Sequence, residues 1–272
     1  MKIAGIRTMP LFVRLIISLF LFVQLIPEFA KAQSLSQKDD FQRISDLIMQ
    51  QNIEVGFVEV KKLQAGKSKL SAPSQALMGL IYLELSQPAK AYTFFEKVTF
   101  SSTEMDHIAE AGMAKAELML GNLSQARELA ESAYKRNPDE LLTKVALARV
   151  LSEQLLHDRS DKLFQEAMQA SRKSSLAGRM YASALQRRSQ LQKAEDVIKQ
   201  TLIRQGKDGP TLVLYSELLW DMGKFEEALE LRIEAEELFR KAGNSIRAEE
   251  VLSWMTIKAI PNLKKIEKPK PP

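Results

Sequence analysis

The chain has no cysteine. That excludes disulfides, thiolate metal sites, a cysteine nucleophile and a lipidated amino-terminal cysteine, and it leaves the compartment open. Valine and threonine are sparse and no segment keeps a period-two alternation, so no sheet is expected. Histidine occurs only as His107 and His157. Each has a neighbouring aspartate, Asp106 or Asp158, but no second ligand at metal spacing. Both read as surface or turn histidines, and no metal or cofactor is expected. There is no Gly-rich phosphate loop, no G-x-S-x-G elbow and no H-E-x-x-H. With no nucleophile, acid–base pair or metal cluster in view, no enzyme is expected.

What is abundant is Ala, Leu, Glu, Lys, Gln and Met, all good helix formers. The eleven methionines read as gap-fillers in helix packing. The net charge of +5 is carried by the ends. Residues 1–32 and 261–272 each hold +3, leaving the body at −1. A near-neutral body has no broad basic face for a phosphate backbone, so no nucleic acid is expected.

The first 14 residues hold three basic side chains and no acid. An apolar run from Leu15 to Ile26 follows, then Pro27, then Ala30-Lys31-Ala32. This order matches a secretory signal peptide cut after Ala32, leaving Gln33 first in the mature chain. The alternative is an uncleaved inner-membrane anchor, though the run is short of the ~20 residues a spanning helix needs. Either way the body is expected outside the cytoplasm, in a bacterial periplasm.

From Pro138 to Asp221 three segments of one design follow each other. Leu147-Ala148, Tyr181-Ala182 and Tyr215-Ser216 place a bulky residue before a small one, at steps of 34. Leu151, Leu185 and Leu219 stand three residues after the small one, and Ser160, Ala194 and Ala228 twelve after it. Such a period marks stacked helical hairpins. Upstream, Met78-Gly79 with Tyr82, Ala91 and Phe95 forms one unit, and Met113-Ala114 with Ala126, Ala133 and Pro138 another. In that unit Glu117 takes the place of the aromatic or Leu, without a reason visible in sequence. The small residues let two helices cross closely while bulky neighbours fill the grooves. A looser first hairpin is expected in 33–71, with apolar faces Phe41, Ile44, Leu47, Ile48 and Ile53, Phe57, Val60, Leu63, closed by Gly66. Five hairpins follow over 72–243. A capping helix over 244–260 would cover the stack with Ile246, Val251, Leu252 and Met255, and a basic Pro-rich tail, 261–272, would be extended. The acidic run from Glu226 to Glu237, with Arg232, Arg240 and Lys241 interleaved, reads as a solvated convex face.

The spacing resembles the tetratricopeptide repeat, a pattern of bulky-small pair, Tyr, Ala, Phe, Ala and late Pro. Met78-Gly79, Tyr82, Ala91 and Phe95 carry much of it in one unit; Ala126, Ala133 and Pro138 carry the second half in the next; Phe225 and Ala228 open the second helix of the last. The family's early Trp is missing from every unit, and only Pro138 fills the late Pro place. The resemblance covers residues 38–258. It implies an all-α, right-handed solenoid of stacked hairpins whose first helices line a concave groove for peptides or partner helices.

Carried over position by position, the resemblance implies a partner-binding groove. Leu77, Leu80 and Leu83 would make an apolar entrance beside Ala76. Lys115, Arg149, Arg179, Met180, Ser183 and Arg187 would make a basic middle. Leu214, Glu217 and Trp220 would lie at the far end beside Val213. The expected ligand is a protein or peptide with apolar anchors and carboxylates. The expected role is a non-enzymatic periplasmic scaffold or adaptor in a cell-envelope assembly. The alternative is a chaperone-like holder of exported unfolded chains. Membrane contact would come only through an uncleaved signal or the basic tail.

Overall fold

A computed structural model describes residues 39–65, 69–99, 104–171, 174–259 and 261. The signal-peptide reading, Gly66 and the Pro-rich tail lie outside the described residues. The chain divides into two compact units, Met1–Arg43 and Ile44–Pro272. Of the first, only 39–43 are described; they are helical, with Arg43 and Asp40 paired at 3.3 Å.

Among the described residues there is helix and turn but no strand. In the second unit residues 44–49 are helical, α1, and are followed by α2, Ile53–Gln64. Five further hairpins come next: α3 Ala72–Glu84 with α4 Pro88–Thr99, α5 Asp106–Leu120 with α6 Leu123–Arg136, α7 Leu141–Glu153 with α8 His157–Ala170, α9 Leu176–Arg187 with α10 Leu191–Gln205, and α11 Gly209–Asp221 with α12 Phe225–Lys241. Each first helix contacts its own second helix and the first helix of the next hairpin, so the second unit is an all-α solenoid. The helix starts use familiar caps. Asp208 accepts from Thr211 N at 2.9 Å ahead of Pro210, and Ser71 accepts from Ser74 N at 3.4 Å ahead of Pro73.

All hairpins turn by one device. Gln51, Ser86, Gly121, Leu155, Ser189 and Gly223 hold positive φ, between 56° and 84°. The next residue's N–H reaches back to the carbonyls of Leu47, Tyr82, Glu117, Leu151, Leu185 and Leu219 at 2.9 Å, closing a Schellman motif each time. The Tyr or Leu three residues after each small residue is thus the acceptor that closes its turn. Glu117 fits the same scheme by another route: its carboxylate also accepts from Asn122 Nδ2 at 2.6 Å, tying the turn with a side chain.

The crossing positions are all sealed. Gly79, Ala114, Ala148, Ala182 and Ser216 on the first helices are buried, and so are Ala91, Ala126, Ser160, Ala194 and Ala228 on the second. In one unit the two positions touch directly, Ser160 Oγ donating to the Ala148 carbonyl at 2.8 Å. Phe95, fully buried, fills the gap between two first helices. A Cβ on Gly79 or Gly112 would stand 2.6 or 2.3 Å from its ring, so both must be glycine.

At the far end α13, Ser245–Trp254, runs on into a π-helical turn, Met255–Ala259. The covering face differs in part from expectation. Ala248 and Val251, with Met255 against them, pack on Leu212, Ala235 and Phe239. Ile246 and Leu252 remain 51% and 38% exposed, because α12 meets only one face of a ten-residue helix. Arg232 also departs from the solvated face. It sits four residues after Ala228, where earlier units place Phe95, Phe164 and Ile198, and is buried. Its Nε donates to Ser216 Oγ at 2.6 Å, it pairs with Glu217 at 2.8 Å, and it lies 4.2 Å from the Trp254 ring centre. With its donors matched by a carboxylate, a hydroxyl and a ring face, a buried guanidinium can replace an aromatic there.

Candidate functional site

The face made by the first helices α3, α5, α7 and α9 holds two adjoining cavities. One, of about 40 Å³, is apolar and lies between Met49, Leu80, Leu83, Val145 and Met180. The other, of about 170 Å³, is polar and is bordered by Gln51, Glu84, Lys115, Arg149, Arg179, Ser183 and Arg187. Met49 borders both, although it ends α1, more than a hundred residues from α9 in sequence. The tip of the first hairpin, Met49–Asn52, is therefore seated on the face that the other hairpins build.

Three polar attachments hold the tip. Arg179, 5% exposed, donates from an Nη to the Met49 carbonyl at 2.5 Å. That carbonyl belongs to the last turn of α1, where helical acceptors lack intrahelical partners and a cation is favoured. Asn52 Nδ2 donates to the Ala242 carbonyl at 2.9 Å, and Asn244 Nδ2 donates to the Gln51 carbonyl at 2.6 Å. The two asparagines stand at equivalent places, one residue after a positive-φ turn residue, so the first and last turns clasp each other reciprocally. Both are buried. A buried bond of this kind contributes about 1 kcal/mol net, and one from a guanidinium about 1.5–3 kcal/mol.

The charges around the polar cavity are uneven. Lys115 pairs with Glu84 at 2.7 Å and Arg187 with Glu153 at 2.9 Å. Arg179 keeps a buried Nε without a partner. Arg149 has no hydrogen-bond or ion-pair partner among the described residues. Burial pushes the Arg149 pKa down, the nearby Arg187 pushes it further, and Glu153 and Glu84 oppose this. Burial lowers that of Arg179 too, against Asp208 and Glu84. Burial alone would raise Glu84, but Lys115, Arg179 and Arg247 outweigh it and hold the carboxyl below its usual range.

The structure sorts the expected groove residues into three groups. Leu80, Leu83, Lys115, Arg149, Arg179, Met180, Ser183 and Arg187 come together around the two cavities. Leu77 does not line them; it is fully buried, because α3 is apolar on all sides and is covered by α2, α4 and α5. Leu214, Glu217 and Trp220 lie elsewhere. Leu214 packs on the core around Tyr181 and Ile198, Glu217 is taken by Arg232, and Trp220 meets Phe225 and Trp254 edge-on at 4.6 and 5.0 Å. The C-terminal helix thus closes that end of the expected groove. Met49, Gln51 and Asn52 were not foreseen. Their shared turn geometry with the later hairpins is visible in the sequence, but their long-range seat is not.

Among the described residues no group of three or more His, Asp or Glu side chains could hold a metal ion, and no helix is long and apolar enough to cross a membrane. No family model matches the chain, and no curated relative matches it. Solved structures do. A thermophilic tetratricopeptide-repeat protein of Thermus thermophilus is 20% identical, with a TM-score of 0.55 over 67% of this chain and 99% of that one. A tetratricopeptide repeat protein of Parabacteroides merdae is 13% identical, with a TM-score of 0.53 over 78% of this chain and 84% of that one. At such identities the likeness shows the fold, which is that of the tetratricopeptide repeat.

Proposed function

We propose that this tetratricopeptide-repeat array is a non-enzymatic protein-binding scaffold, exported to the periplasm, whose first-helix face receives a segment of a partner in a cell-envelope assembly. One observation carries the reading: that face already holds a polypeptide turn, with Met49 bordering the apolar cavity together with Leu80, Leu83 and Met180 and the Met49 carbonyl on Arg179. A surface that orients a side chain and a backbone carbonyl together selects a defined segment, which favours an adaptor over a general holder of unfolded chains. Export rests on the order of basic region, apolar run and Ala30-Lys31-Ala32.

A photo-crosslinking residue at Ser183, on the rim of the polar cavity, is expected to trap one dominant partner in cells. Arg149→Glu with Arg187→Glu is expected to remove that adduct while circular dichroism stays helical. An undiminished adduct would take this face out of the function. Export is checked separately by the amino-terminal sequence of the mature protein, expected to start at Gln33.

A further inference from the structure

The seated tip also shows what kind of segment the face accepts. The carboxyl end of a helix carries bare carbonyls and a partial negative charge. Around the polar cavity Lys115, Arg149, Arg179 and Arg187 are opposed by Glu84, by Glu153 and, at Arg179, by Asp208, so positive charge is in excess. The end of α1 answers that excess in part. It offers Met49 to the apolar cavity and the Met49 carbonyl to Arg179. It brings no carboxylate to the cavity: the residue there is Gln51, and Arg149 has no partner among the described residues.

We propose that the face is built to grip the carboxyl end of a helix, that Met49–Asn52 is its resident occupant, and that a partner enters by presenting such an end with an acidic side chain for Arg149. This rests on the binding-face reading above and names the chemistry of its ligand. The partner segment is a helix whose last turn carries an apolar side chain, followed within about two residues by Asp or Glu, the span from Met49 to Gln51. It gains over the resident through Arg149, and the resident resists through the Asn52–Ala242 and Asn244–Gln51 clasp, which a linear segment does not reproduce. The clasp acts as the latch and Arg149 as the release.

The test uses the full chain and two stapled, fluorescein-labelled helical peptides of the sequence 40–52. One keeps Gln51 and the other carries Gln51→Glu. By anisotropy the acidic peptide should bind the unaltered protein roughly tenfold tighter, the affinity equivalent of one charge-assisted hydrogen bond. Arg149→Leu should erase that difference. Met49→Lys, which places a cation among the arginines and loosens the resident, should tighten binding of both peptides. Equal binding of the two peptides, or equal binding by the unaltered and Met49→Lys chains, overturns the proposal. If Met49→Lys does not fold, Gln51→Glu within the chain should raise the melting temperature, with the gain lost beside Arg149→Leu; no gain overturns it as well. A dimer that exchanges its tips between copies, seen by sedimentation and abolished by Asn52→Ala, would overturn the assignment of the resident to its own chain. If the peptides fail while the Ser183 adduct still depends on Arg149 and Arg187, the binding face stands and only the helix-end chemistry falls.

Discussion

The first hairpin and the five that follow it share a turn and a buried apolar crossing, but the tip of the first is held in a way that theirs are not. Gln51 holds the same positive φ as Ser86, Gly121, Leu155, Ser189 and Gly223. The later hairpins are joined by a continuous apolar seam of small crossing residues and large fillers such as Phe95, Phe164 and Ile198. The tip of the first is held by two side-chain amide hydrogen bonds, one guanidinium and the burial of a single apolar side chain, Met49. Apolar contact is non-directional and adds up along an array, whereas a few buried polar bonds are specific and can be exchanged for other polar bonds. One molecule thus contains a part held by summed apolar contact and a part that also depends on a few directional polar bonds.

That contrast can be broken most sharply in the array. Phe95→Ala should cost about 3–5 kcal/mol in urea unfolding, because two glycine-lined helices cannot collapse on the cavity it leaves. A loss confined to the α3–α4 hairpin would mean that the seam is not shared. Next, Asn52→Ala with Asn244→Ala should cost about 2–3 kcal/mol, part of it the lost cap on Arg247 N, and should speed amide exchange at 49–52 far more than in α7 or α8. Uniform acceleration across the chain would erase the distinction between latch and array.

Acid acts on both regions. Glu84, beside the tip, and Glu195, within the array, both have pKa values held below the usual range. Each is raised by burial but lowered more: Glu84 by Lys115, and Glu195 by its bonds to Lys199, Tyr215 and Lys224. A depressed carboxyl pKa contributes stability that is present above the unfolded value and is lost as pH falls through the folded one. Melting temperature should therefore drop on acidification below the ordinary carboxylate range, and Glu84→Gln should lessen the drop. An unchanged acid profile in that variant would remove Glu84 from the balance. The smallest effect belongs to the shared turn. Leu155, 74% exposed at φ 62°, holds a conformation that glycine adopts freely, so Leu155→Gly should stabilise by about 0.5–1 kcal/mol in the same urea assay.

Much of the array was legible because its signals are local. The stacked hairpins and the sealed crossings from Gly79 to Ala228 follow from spacing and small side chains. Glu117 was not legible, since its role depends on Asn122 across a turn, and neither was Arg232, since its partners come from α11 and α13. Of the groove that the resemblance implied, the middle residues border the two cavities. Its far end does not, because Trp254 returns from the last helix to cover Trp220.

The order of residues by itself determined repeating hairpins, for helical periodicity and turn chemistry act locally; that Leu80, Lys115, Arg149 and Arg179 share one face was implied by the resemblance to the tetratricopeptide repeat. Only the tertiary structure decided that this face is occupied, and by what. Asn52 meets Ala242 across 190 residues because the intervening hairpins bring the two turns together. Each stacking step adds a small rotation, and the sum of such rotations is a property of the packed array that no single repeat encodes.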